Sequence, residues 1–152
     1  MLSPRGHDPD APNSHSLSIL ETPPPVLKGD RELYLSVAHF YRIVEEAGPR
    51  GPWRVQTAGY SYIIHGEEGH ELFAYQWQPH GRSPVTTPHL HLGSGLDAPD
   101  TQLPKVHLPT GRVSIEEVIR LAIELGAAPL REDWEEVLKT TEDAFVRWRT
   151  WA

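Results

Sequence analysis

WRVQTAGYSYIIHGEEGHELFAYQWQ, residues 53–78, decides how this chain folds. Trp53, Val55, Tyr60, Tyr62, Ile63 and Ile64 suit a pleated, half-buried strand, and Gly59 marks a candidate bulge. The segment from His65 to His70 carries Gly66 and Gly69 and reads as a hairpin turn. Glu71 to Gln78 then returns as the next strand. Strand side chains alternate, so Phe73, Tyr75 and Trp77 share one face and Leu72, Ala74, Gln76 and Gln78 the other. The aromatic face is expected to meet the core.

Working outward, residues 33–46 carry two patterns at once. Leu33, Leu35, Val37, Tyr41 and Ile43 alternate as a strand does, while Leu33, Val37, Phe40, Tyr41 and Val44 fit a helical face stopped by Gly48 and Pro49. The wealth of β-branched and aromatic residues favours the strand. Residues 1–30 hold Pro4, Pro9, Pro12 and Pro23 to Pro25 with few apolar groups, and read as a disordered or loosely attached leader. Downstream, Pro88 to Leu92 is short and extended and closes at Gly93-Ser94-Gly95. Lys105 to Leu108 extends briefly.

Helices follow. Ser114 with Glu117 three residues on forms a capping box ahead of Ile115, Val118, Ile119, Ala122 and Ile123, and Gly126 ends that helix. Trp134, Val137, Leu138, Thr141, Phe145 and Trp148 recur at spacings of three and four, and Trp151 continues the stripe. This second helix is expected to begin near Pro129 or Arg131 and to dock its apolar face on the sheet. Strands followed by helices imply an α+β fold. The expectation is an antiparallel sheet of about four strands, with two C-terminal helices packed on one face, in a single domain spanning residues 31–152.

Composition bounds the function. A chain of 152 residues, 38% hydrophobic, can bury a core. The absence of cysteine excludes disulfides, thiolate metal sites and a cysteine nucleophile, and is compatible with a reducing cytoplasm. No apolar run approaches the roughly 20 residues of a membrane span, and the first residues lack the basic stretch and apolar core expected of a signal peptide. The expected location is cytoplasmic. A net charge of -7, from 21 acidic and 14 basic residues, argues against a broad nucleic-acid surface.

Histidine is therefore the main neutral-pH acid–base group and the main metal ligand left. An extended Pro88-His89-Leu90-His91-Leu92-Gly93 places His89 and His91 on one face, about 7 Å apart. Two such imidazoles can share an ion or act as acid and base in one cleft. His80 and His107 flank them in sequence, and Asp97 and Asp100 could add carboxylate oxygen. The plainer reading is a pair of polar residues on the solvent face of an edge strand. Arg112 sits with Thr110 and Gly111 in the turn before a capped helix, where it could hold a phosphate or pair with an acidic neighbour.

The tyrosine-rich hairpin, Tyr60-Ser61-Tyr62 to Phe73-Ala74-Tyr75, followed by the His89-x-His91-x-Gly93 triplet, resembles the TumE-like toxins of bacterial toxin–antitoxin modules over residues 53–95. The proline-rich leader and the two C-terminal helices depart from that pattern. The resemblance implies a cytoplasmic bacterial protein with a protein partner, either an antitoxin or a second copy.

Three functions follow. The first is a toxin-like enzyme acting on RNA, with His89 and His91 as base and acid and Arg112 on the phosphate. The second is a metal-binding protein that holds zinc or another divalent ion through His89, His91 and one of His80, His107 or Asp97. The third is a non-catalytic interaction module built on the aromatic hairpin and the tryptophan-bearing last helix.

Overall fold

A computed structural model describes residues 15–19, 24–49, 51–81, 83–96, 106–148 and 150–151. The ambiguous segment is a strand. β3 (Leu33–Gly48) and β4 (Gly51–His65) pair as a long antiparallel hairpin. The hairpin predicted from residues 53–78 is present. Gly66 N–H donates to the His70 carbonyl at 2.9 Å, a short 3-10 turn covers Glu67–Gly69, and β5 (Glu71–Trp77) pairs antiparallel with β4. The bulge falls at Ala58, beside Gly59, because Phe40 pairs with Gly59 and Tyr41 with Thr57.

The sheet is larger than four strands. β1 (His15–Ile19) and β2 (Val26–Leu27) pair with the outer edge of β3. β6 (His89–Leu92) pairs with β5, and β7 (Leu108–Pro109) with β6. Seven antiparallel strands thus run in the order β1-β3-β4-β5-β6-β7 with β2 on β3. The expected count was low because β1, β2 and β7 are short edge pieces, and only pairing distinguishes them from loops. Leu17 and Ile19 alternate with Ser16 and Ser18 in the stretch read as leader, a period that suits an edge strand.

α1 (Ile115–Glu124) covers one face of the sheet. Its capping box forms as expected: Glu117 N–H donates to Ser114 Oγ, and Ser114 N–H donates to the Glu117 carboxylate. Val118 and Ala122 are fully buried against Leu33, Leu35, Val37, Tyr60, Tyr62, Ile64 and Trp77. Full burial of Val118 contributes about 1.5–3 kcal/mol by area removed from water. Gly126 stops the helix at φ +114°, a conformation that favours glycine.

α2 (Trp134–Trp148) begins later than expected, because the Arg131 guanidinium pairs with Asp133 at 2.8 Å and Asp133 accepts from Val137 N–H. None of its residues is buried, so its apolar stripe docks only partly. It is held by Glu142, which accepts from Ser114 Oγ at 2.8 Å and pairs with Arg120 at 2.7 Å, and by Phe145, whose ring lies 6.4 Å from that of His39. Trp151 does not extend the helix. It lies in β8 (Thr150–Trp151), which runs parallel to β4 at Gln56 and Thr57, beyond the reach of β5. No helix among the described residues is long and apolar enough to cross a membrane.

Candidate metal centre

β6 is four residues long, and both of its neighbours set its register. His89 pairs with Gln76 of β5 and Pro109 of β7, and Leu90 pairs with Tyr75 and Leu108. Leu90 therefore faces the α1 side with Tyr75, while His89 and His91 face the other side. One step beyond the Leu90–Leu108 pair, the same register sets His107 opposite His91.

The three imidazoles converge. Ring centroids lie 4.9 Å apart for His89 and His91, 4.8 Å for His89 and His107, and 4.2 Å for His91 and His107. One ring nitrogen from each lies within 4.8 Å of the others. A tetrahedral ion with bonds of about 2.0 Å wants its nitrogens roughly 3.4 Å apart, so the rings need to close by at most roughly 1.4 Å. His89 is buried and His107 exposed, so His107 has the freedom to make that movement.

Protonation favours ligation. His89 Nδ1 lies 2.7 Å from the carbonyl oxygen of Thr87. A carbonyl only accepts, so Nδ1 carries the proton and Nε2 keeps its lone pair for an ion. A second group that fixes the tautomer in this way is the usual support of a metal-bound histidine. The pKa of His91 is lowered, first by burial and then by the charges that His107 and His89 would carry. Its neutral form, the one that ligates, is favoured.

Gly93 closes the strand by close backbone packing. Its N–H donates to the Leu72 carbonyl at 2.8 Å, and a Cβ there would stand 1.8 Å from the Glu71 carbonyl oxygen. The backbones touch, and only glycine allows it.

The other predicted site residues sit elsewhere. His80 is exposed in the turn after β5 and is not part of the cluster. Arg112 stacks its guanidinium 4.4 Å above the ring of Trp77. Trp77 pairs with Tyr60 and so lies on the α1 face, opposite the imidazoles. Thr110 N–H donates to the Pro88 carbonyl at 3.0 Å, and its hydroxyl is buried without a partner. Trp134 and Trp148 are half-buried on α2. Asp97 and Asp100 lie outside the described residues.

Sequence reasoning missed two contributions. The Thr87 carbonyl carries no signal in residue type; only its position one residue before Pro88 favours extended backbone there. His39 was read simply as part of a strand. It is half-buried, with Nδ1 2.6 Å from the Tyr62 hydroxyl and Nε2 3.4 Å from that of Thr57. No family model, no curated protein and no solved structure matches this chain.

Proposed function

We infer that this chain is a metal-binding protein whose centre is His89, His91 and His107. The observation that carries this reading is the convergence of three imidazoles within 4.8 Å, one of them held in the ligating tautomer by Thr87. An all-nitrogen set suits zinc, or another first-row divalent ion of borderline softness. Three protein ligands leave a fourth position for water, whose pKa such an ion lowers towards about 7. The strands support this set: β6 presents two imidazoles in one register, and the residue just before β7 brings the third across.

The RNA-directed, toxin-like reading uses His89 and His91 as base and acid without an ion. One observation favours it, the buried and unpartnered hydroxyl of Thr110 in the turn where an anion was expected. Arg112, its intended phosphate anchor, is engaged with Trp77.

Titration of the chelator-treated chain with cobalt(II) tests the metal reading. One equivalent should give the intense visible bands of a four-coordinate site, and His91→Ala and His107→Ala should each abolish them. Uptake that is absent in the parent chain, or unchanged in both variants, overturns the reading. Cleavage of RNA that persists in chelator and is lost in His89→Ala would support the alternative.

A further inference from the structure

A cavity of about 230 Å³ lies where the bulge of β4 meets the turn after β5. Phe40 and Arg42 enter it from β3, Ala58 from β4, and Gln78, Pro79 and His80 from the turn. Leu35 and Val37 face α1, so alternation along β3 turns Phe40 and Arg42 to the opposite side of the sheet. The Nε of Arg42 is buried there and has no hydrogen-bond partner. Among the described residues no acceptor or carboxylate engages any part of its guanidinium. The first carboxylate further along that face of β3, Glu46, is held by Arg54.

An arginine cannot shed its charge in a protein, so this burial is not relieved by loss of a proton. A covered N–H without an acceptor destabilises the fold, and most buried donors therefore have one. The terminal nitrogens of the same guanidinium are not buried in this way and stay within a ligand's reach. Gln78 and His80 each bring a further N–H to the rim. No acidic side chain stands among the described lining residues. Donors and a fixed positive charge thus share one cavity with the apolar surfaces of Phe40, Ala58 and Pro79. The chain as a whole carries a charge of -7, so no general attraction draws anions to it. Any preference for an anion here must come from Arg42 itself.

We propose that this cavity binds a small organic acid, a carboxylate on a single ring or short alkyl group, with its oxygens on the Arg42 guanidinium and its apolar part against Phe40 and Pro79. The planar fork of a guanidinium matches the two oxygens of a carboxylate. The size fits as well, since a cavity of about 150 Å³ accepts benzene. The apolar walls favour an acid with an organic body over a bare inorganic anion. The site uses none of the three clustered imidazoles and stands whether or not an ion is bound by them.

Benzoate, benzyl alcohol and inorganic phosphate, titrated into the chelator-treated and desalted full chain and followed by protein NMR, test the proposal. Benzoate should bind at least roughly tenfold more tightly than benzyl alcohol, the value of a hydrogen bond to a charged group. Phosphate should bind more weakly than benzoate. The shifts should centre on Phe40, Gly59 and Gly81, which line the cavity. Arg42→Gln should reduce benzoate to the affinity of the alcohol. Arg54→Gln removes a cation already paired with Glu46 and should leave benzoate binding unchanged. The ligand comparison and the shift map are read on the parent chain, which keeps the test open if Arg42→Gln does not fold. Equal affinity for benzoate and alcohol, phosphate as tight as benzoate, no binding of any of the three, shifts centred elsewhere, or benzoate binding that survives Arg42→Gln overturns the proposal.

Discussion

His89 donates its Nδ1 proton to the carbonyl of Thr87 across 2.7 Å. That bond turns one imidazole of three into a fixed acceptor, and it divides the roles of the cluster. His89 is buried and oriented, while His107 is exposed and adjustable. The two should respond differently to removal. His107→Ala should leave the metal-free melting point nearly unchanged, within about 0.5 kcal/mol, as surface changes do. His89→Ala should lower it. Both should lose the thermal stabilisation that zinc gives the parent chain, about 2.7 kcal/mol at a hundredfold excess over the dissociation constant. Differential scanning calorimetry with and without zinc reads all four quantities. A zinc-dependent rise retained in His107→Ala would show that the third ligand lies elsewhere.

Gly93 links the same strand to β5. An added Cβ meets the Glu71 carbonyl oxygen at 1.8 Å, so the backbone must retreat and give up the bond from Gly93 N–H to Leu72. Gly93→Ala should cost about 1–3 kcal/mol by overpacking. Because His91 is two residues away on the same short strand, cobalt affinity should fall as well. Urea denaturation and cobalt titration on one preparation check both, and a stability loss with intact cobalt binding would separate the turn from the centre.

His39 sets a pH dependence. Burial lowers its folded pKa below the ordinary value of about 6.5. The unfolded chain then takes up the proton first as pH falls. Stability from this group is complete above about pH 6.5 and is lost as pH drops through the lowered folded value. His91, whose pKa is also lowered, acts in the same direction. Urea midpoints measured from about pH 7.5 to pH 5 should decline, and His39→Gln should flatten the decline. An identical slope in the variant would assign the acid sensitivity to other groups.

The two helices should differ in local stability. α1 buries Val118 and Ala122 completely, whereas α2 buries no residue and rests on Glu142 and Phe145. Amide exchange in α1 should be slower by roughly tenfold or more than in α2. Ser114→Ala removes the cap of one helix and a bond to the other, and should quicken exchange in both. Equal protection of the two helices in the parent chain would mean that the α2 stripe is covered in solution.

Much of this architecture is written locally. Alternation over 53–78 specified the hairpin, and Ser114 with Glu117 specified the start of α1, because strand period and capping depend on residues within a few positions of each other. The β-branched and aromatic content of residues 33–46 was enough to choose strand over helix. The short edge strands were not legible in the same way. β2 and β7 hold two residues each, too few to show a period, β1 alternates over only five residues inside a proline-rich stretch, and all three exist through pairing with β3 and β6. The end of α2 misled for a related reason: Trp151 keeps the helical spacing, but the open edge of β4 at Gln56 and Thr57 takes it as a strand.

The candidate centre divides along the same line. Sequence by itself determined that His89 and His91 share a face, since a strand of period two allows nothing else. It could not choose among His80, His107 and Asp97 for a third ligand, since each is separated from His91 by a turn or loop whose path depends on packing. Among the described residues, tertiary structure brings His107 to the pair: β7 pairs with β6 in the register that sets His107 across from His91, while the turn after β5 leaves His80 in solvent. Only the fold, too, could bring Arg42 of β3 to a cavity walled by the bulge of β4 and the turn after β5. Local periodicity fixes which way a side chain points, and long-range pairing fixes what it meets.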